Sequence, residues 1–185
     1  MFTTDRLILR PAQTSDFEPL RSLWNIAAVQ QMLTNEPIVP RPPKFKEDRV
    51  EKMINEFTFI AVVEIKDTNT FIGFASLHVG PFVHRDAAYG IGLLPEFWNK
   101  GYGTEITKFI VEYAFVSLNV HRVSLNVFGG NEAAIAVYKK LGFTEEGRKR
   151  KAIWDHGCWQ DNIFMGILDE EWRARKQSDT DTSQP

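Results

Sequence analysis

An apolar run ending at Leu93 and Leu94 passes through Pro95, Glu96, Phe97, Trp98, Asn99, Lys100, Gly101, Tyr102 and Gly103 into a strongly amphipathic stretch. Ile106, Phe109, Ile110, Tyr113 and Ala114 recur at the i, i+3, i+4, i+7, i+8 spacing of one helical face, which predicts a helix beginning near Thr104. A strand that enters a helix through glycines exposes the first helical N–H groups, which have no carbonyl partner and sit at the positive end of the helix dipole. Such a junction suits an anion. The competing reading is a plain tight turn, with Thr104 capping its own helix. Neither common nucleotide motif fits: a Walker loop needs G-x-x-x-x-G-K-[ST], and a dinucleotide fingerprint needs a third glycine where Ile106 stands.

The rest of the chain sets limits on what surrounds this junction. With 185 residues, 43% of them hydrophobic, one domain with a sizeable core is expected, spanning residues 1–177, with a disordered polar tail at 178–185. A formal charge of -2 gives no global reason to bind nucleic acid or an anionic membrane. Cys158 is the only cysteine, so no intrachain disulfide can form. Asp5, Arg6 and Arg10 interrupt any secretory-type apolar run, and no stretch approaches the roughly 20 apolar residues of a membrane span. A cytoplasmic protein, monomeric or homodimeric, is the expectation.

Patterning along the chain predicts a strand at 7–9, ended by Pro11, and a helix with Thr14, Ser15 or Asp16 as its cap and Phe17, Leu20 and Trp24 inward. Residues 35–46 hold Pro37, Pro40, Pro42 and Pro43 and must be a loop. A helix follows over 47–57, with Val50, Met53, Ile54 and Phe57 inward. An antiparallel meander of strands at 59–66, 71–79 and 87–94 leads into the junction. The strand at 123–128 after the junction helix implies a parallel crossover, and a helix opened by Asn131 closes at Gly142. Strands at 143–152 and 159–168 complete the pattern. The fold class is α/β, with a mixed, mostly antiparallel central sheet and helices on both faces.

The segment from Leu94 to Glu105 resembles the acyl-CoA-binding segment of the GNAT acyltransferase superfamily, nearest its ribosomal-protein-alanine N-acetyltransferase-like branch. Residues 131–143 (NEAAIAVYKKLGF) resemble the next block of that branch, and EEGR at 145–148 and DNIFMG at 161–166 its final strands. The likeness extends from residue 4 to about residue 168. It implies a splayed parallel strand pair, with Leu93 and Leu94 on one strand and residues 126–128 on the other, admitting the pantetheine arm of acetyl-CoA. It further implies that Asn99, Lys100, Gly101, Tyr102, Gly103 and Thr104 hold the pyrophosphate. Trp98 stands where the superfamily often has Gln or Arg.

Asn131, Ala134 and Tyr138 fall on one helical face, seven residues being close to two turns. The resemblance implies that Asn131 bonds the cofactor's amide arm and that Tyr138 lies near the sulfur as a general acid. Helix capping and core packing are the equally weighted structural readings. Many members of the superfamily carry a carboxylate where Ala88 stands, so a directly transferred glutamate base is excluded and the base is open. His78, His84, Asp86 and Glu96 lie in that neighbourhood without a motif that selects one. Trp24, Phe45, Trp154 and Trp159 either border an acceptor pocket or pack in the core. Cys158 and His156, two apart, would share a strand face, but a core thiol is the expectation. Together these readings imply acetyl transfer to a primary amine, foremost a protein N-terminal α-amine, with a polyamine or antibiotic amine, or a silent CoA-binding protein, as alternatives; no metal is implied.

Overall fold

The computed structural model describes residues 1–42, 44 and 50–182, with backbone alone for 179–182. Its eight strands are β1 (Phe2–Thr3), β2 (Leu7–Arg10), β3 (Phe59–Ile65), β4 (Thr70–Val79), β5 (Asp86–Leu93), β6 (Arg122–Phe128), β7 (Thr144–Asp155) and β8 (Cys158–Leu168). They form one sheet in the order β1-β2-β3-β4-β5-β6-β8-β7. The helices are α1 (Phe17–Trp24), α2 (Ala27–Leu33), α3 (Glu51–Glu56), α4 (Tyr102–Val116), α5 (Glu132–Leu141) and α6 (Asp169–Thr182). Among the described residues the single parallel pairing is β5 with β6, and it runs only from Asp86↔Arg122 to Ala88↔Ser124, although both strands continue. Its neighbour β8 follows β6 along its whole length, from Arg122↔Leu168 to Phe128↔Asn162.

Contacts divide the chain into two compact units, neither contiguous: Met1–His78 with Tyr89–Phe109, and Val79–Ala88 with Ile110–Pro185. In the first, Leu20, Leu23 and Trp24 of α1, Val29 of α2 and Met53 of α3 pack on Val62 and Phe74, so that three helices cover one face of β3 and β4. Successive strand side chains point to opposite faces. Phe59, Ala61 and Val63 of β3 are therefore buried on the other face, where Phe2 packs between Phe59 and Phe109 at ring distances of 6.0 and 5.6 Å. Trp24 is thus core, stacked on Phe74; Phe45 lies outside the described residues.

Three polar side chains shape this unit. The expected cap Asp16 leaves its own helix uncapped and instead accepts from Arg10 at 2.6 and 2.7 Å and from Gln13 N at 2.7 Å. Gln30, fully buried, pairs its amide with both backbone groups of Val39 (2.9 and 3.1 Å), and Asn25 does the same for Arg41 (3.2 and 2.6 Å). Two side-chain amides thus take the part a neighbouring strand would play for a proline-interrupted segment whose backbone groups need partners. Residues 35–42 carry no helix or strand, as their prolines require.

In the second unit, Val123, Leu125 and Val127 of β6 are buried while Arg122, Ser124 and Asn126 are not, the alternation of a sheet with one covered face. Asn131 caps α5 by accepting from Ala134 N at 3.2 Å, and Gly142 ends it at φ 102°, a conformation open to glycine. Helix α6, absent from the sequence reading, seats Trp172 on Phe115 at 5.4 Å and pairs Lys176 with Glu112. Where a disordered tail is expected from Ser178, the helix runs on through Thr182; residues 183–185 lie outside the described ones. Strands β7 and β8 meet at a two-residue turn, His156 (φ 41°) and Gly157 (φ 84°). His156 is therefore in the turn, sharing no strand face with Cys158, and Cys158 is exposed where a core thiol is expected.

Candidate active site

The helix of the junction begins at Tyr102, two residues before the position expected from the apolar spacing. Its first backbone bond is donated by Glu105 N to Gly101 O at 3.1 Å, so the N–H groups from Gly101 to Thr104 are those an α-helix leaves unpaired. Asn99 (φ 58°) and Gly101 (φ 81°) are left-handed on either side of Lys100, a backbone that turns successive N–H groups toward one side. Asn99, Lys100 and Gly101 are exposed. A Cβ added to Gly103 would meet nothing nearer than Leu93 Cδ1 at 4.0 Å. These donors, their direction and their openness fit a diphosphate.

Several side chains absent from the sequence reading fix this turn within the first unit. Glu105, on the first turn of α4, accepts from Thr4 Oγ1 (2.5 Å), Arg6 N (2.9 Å) and Arg6 Nε (2.7 Å). Burial works against the charged form of Glu105, but the hydrogen bonds from Thr4 and from Arg6 outweigh it and hold the carboxyl below its ordinary range. Arg6 Nη1 also donates to Lys100 O at 3.1 Å, and its guanidinium lies 4.5 Å from the Tyr102 ring centre. A second cation thus stands at the turn beside Lys100. Thr107, buried within α4, donates to Gly103 O at 2.7 Å and meets the Tyr89 hydroxyl at 2.9 Å, tying the first turn of the helix to β5.

Trp98 donates its indole N–H to Leu93 O at 2.8 Å and packs against the α1–α3 core. It therefore shapes the turn rather than presenting a polar group outward. Leu94 N donates to Ile72 O at 2.9 Å and Leu94 O accepts from Phe97 N at 3.0 Å. Of the strand-edge groups expected at Leu93 and Leu94 to pair with an amide arm, Leu93 O, Leu94 N and Leu94 O thus already have protein partners.

In the second unit, Asn131, Ala134 and Tyr138 lie together on α5. Asn131 Oδ1 is engaged by the cap, and Tyr138 is buried with its ring 5.7 Å from that of Phe143. Burial pushes the Tyr138 phenol well above its ordinary value. Asp86 accepts from Ser124 Oγ at 2.8 Å and pairs with Arg122 at 3.4 Å. Ala88, opposite Ser124, presents only a methyl group. His84 is exposed in a short 3₁₀ turn, Phe82–His84, of this unit. In the first unit, His78 is exposed beside the Phe57 ring and Glu96 is exposed in the 3₁₀ turn Pro95–Phe97. Trp154 and Trp159 are 60% and 55% exposed and line no core. Among the described residues no cluster of His, Cys, Asp and Glu could hold a metal, and no helix is long and apolar enough to cross a membrane.

A mixed sheet whose one parallel pairing among the described residues stops after three residues, and a helix that opens on unpaired N–H groups after a glycine turn, are features of an acyltransferase of the GNAT type. The chain belongs to that family: the acetyltransferase (GNAT) domain matches residues 6–144, which makes the protein an acyl-CoA-dependent N-acetyltransferase using acetyl-CoA. It is 30% identical over 172 residues to the spermidine N(1)-acetyltransferase of Escherichia coli K12, covering 92% of this chain and 90% of that protein. Over 104 residues it is 35% identical to YdaF of Bacillus subtilis, whose name proposes a ribosomal N-acetyltransferase, covering 56% of this chain and 57% of that one. Among solved structures, the spermidine N-acetyltransferase of Vibrio cholerae in complex with CoA and spermine superposes with a TM-score of 0.81 at 25% identity, covering 92% and 99% of the two chains.

Proposed function

We propose that the N–H groups of residues 99–104, with Lys100 and Arg6, bind the diphosphate of acetyl-CoA, that Asn131, Ala134 and Tyr138 address its acyl-bearing arm, and that Leu93 and Leu94, whose backbone groups are mostly held by the protein, border that arm. Acetyl-CoA supplies an activated thioester. The chain's own part is to anchor the anion, exclude competing orientations and, through the Tyr138 hydroxyl, offer a proton to the departing sulfur. Replacing Gly101 by Trp places a side chain on a left-handed backbone, with its Cβ 3.3 Å from Arg6 Nη2, and spreads an indole over the turn. CoA affinity measured by calorimetry is expected to fall by about one to two powers of ten while circular dichroism is retained. Unchanged affinity would remove the anion site from this turn.

The acceptor in this reading is a protein N-terminal α-amine. The observation that carries it is the state of Asp86, the one carboxylate among residues 79–88, which is already held by Ser124 and Arg122, with a methyl group at Ala88. An acceptor must lose a proton before attack. With a pKa of about 8, an α-amine is neutral roughly 200 times more often near pH 7 than a lysine-like amine at about 10.4. A site poor in carboxylate base therefore favours the α-amine. A second reading, a polyamine acceptor, is supported by the 30% identity to spermidine N(1)-acetyltransferase across nearly the whole chain.

Thiol release from acetyl-CoA with free-N-terminus peptides, spermidine and Nα-blocked lysine separates the two. The expected result is a kcat/KM for the best peptide at least about tenfold above spermidine near pH 7. The reverse order would hand the site to polyamines. A cytoplasmic location belongs to the same proposal.

A further inference from the structure

The overall charge hides a local asymmetry on the β7–β8 hairpin of the second unit. Arg148, Lys149, Arg150 and Lys151 are consecutive, exposed and on β7, the last strand of the sheet. Lys149 pairs with Asn162 and Ile153 with Gln160, so residues 150–152 bulge opposite Asp161 alone. A bulge redirects side chains out of the regular pleat. Lys151 takes φ 51° there, with its N–H donated to Asp161 Oδ1 at 2.9 Å. The acids nearby do not quench the run, because Glu145 and Asp161 both pair with Arg148, at 2.9 and 3.1 Å. The side chains of Lys149, Arg150 and Lys151 take no part in those two salt bridges.

Next to these cations, Trp154 and Trp159 face each other across the hairpin, ring centres 5.0 Å apart at 63°, with more than half of each in solvent. Two large indoles left in water at one spot mark an interaction surface rather than packing. Trp159 also walls an open cavity of about 370 Å³ with Ile135 and Lys139 of α5, Gln160, and the ion-paired side chains of Glu145, Arg148 and Asp161. Ile135 and Lys139 are four residues apart on α5, and Ile135 is also one turn from Asn131, so the cavity opens beside the face that carries Asn131 and Tyr138.

We propose that this hairpin is a binding site for single-stranded nucleic acid, the phosphates meeting Lys149, Arg150 and Lys151 and a base stacking on Trp159 at the cavity mouth. Cations alone would fit any polyanion. The exposed indoles select among them, because a nucleobase has a flat π-face to stack and an acidic peptide has none. Gln160 supplies both an amide donor and an acceptor at the cavity wall. The site needs no excess of positive charge over the whole chain, since phosphate contacts act over about a Debye length.

The test uses the full chain and labelled oligo(U) and oligo(dT) of roughly 12 nucleotides, followed by fluorescence anisotropy from about 50 to 200 mM salt. Three phosphate contacts predict a log–log salt slope near about −2. The variant with Lys149, Arg150 and Lys151 all replaced by Gln is expected to lose most of that slope. Trp159→Ala is expected to weaken binding roughly five- to hundredfold while leaving the slope in place. Both variants should retain acetyl transfer, and a preference between the two oligomers would tell RNA from DNA. Failure to bind at about 50 mM salt overturns the proposal. So does equal competition by polyglutamate with Trp159→Ala neutral, which would assign the surface to an acidic protein segment.

Discussion

Gly73→Ala is expected to prevent folding. Gly73 lies at φ 151° in β4, where the register to β3 shifts and Ile72 is passed over. A Cβ built there would fall 2.0 Å from Gly92 O and 2.9 Å from Leu93 Cα. Both obstacles are backbone of β5, so no rotamer change relieves them, and the strands would have to part. Overpacking of that kind, added to a conformation that L side chains rarely adopt, costs more than the ~3 kcal/mol of an ordinary severe substitution. Domains have only about 5–15 kcal/mol in hand. Urea and thermal unfolding of the variant should show either no cooperative transition or a midpoint far below the parent. Gly80→Ala, whose Cβ would meet nothing within 4 Å, is the control and should unfold like the parent. A normal midpoint for Gly73→Ala would mean that β4 and β5 do not approach as described. The point bears on function, because the strand held so closely delivers Leu93 and Leu94 to the turn.

Short-range chemistry made much of this fold legible in the sequence. Helix α5 was bounded correctly at both ends because Asn131 and Gly142 act within a few bonds of the residues they cap. The strands of the meander followed from alternation, and the parallel β5–β6 pair from the long crossover between them. What escaped lacked a local signal. Helix α2 is seven residues long and turns a buried Gln30 inward, so its inner face does not read as apolar. Helix α6 is nearly all polar and docks through Trp172, which cannot show periodicity alone. Asp16 does cap, but on the 3₁₀ turn before α1, where it accepts from Gln13 N, and its pairing with Arg10 is the part that only three-dimensional neighbours decide.

The site divides along the same line. Glycines before an amphipathic helix identify the turn and its open N–H groups. The bracket that holds the turn joins Thr4 and Arg6 to Glu105, about a hundred residues away. No spacing rule reaches that far. Thr107 had a faint signal, a hydroxyl amid the buried positions of α4, and Trp98 a stronger one, an indole where the superfamily favours a polar chain. Its N–H satisfies Leu93 O within the protein, so the departure from the usual residue serves the turn's own structure.

Tyr138→Phe is the substitution expected to cost the most activity without costing the fold. The phenylalanine keeps the ring against Phe143 and removes only the hydroxyl. If that hydroxyl protonates the departing thiolate, kcat should fall by about a hundredfold or more, with CoA affinity unchanged by calorimetry. The raised phenol pKa sets a second expectation. A group pushed upward stays protonated throughout the neutral range, so the pH–rate profile should rise as the amine loses its proton, with no descending limb from Tyr138 below about pH 10. Burial that keeps the proton in place also makes its complete transfer harder, since a thiolate near pKa ~8.5 is the weaker base. The hydroxyl then acts chiefly by hydrogen bonding to charge as it develops on sulfur, a contribution made in the transition state and not in the bound ground state. That is why kcat, and not affinity, should carry the loss. A phenylalanine variant within about twofold of the parent in kcat would show that the sulfur leaves unaided and that Tyr138 is only part of the α5 packing.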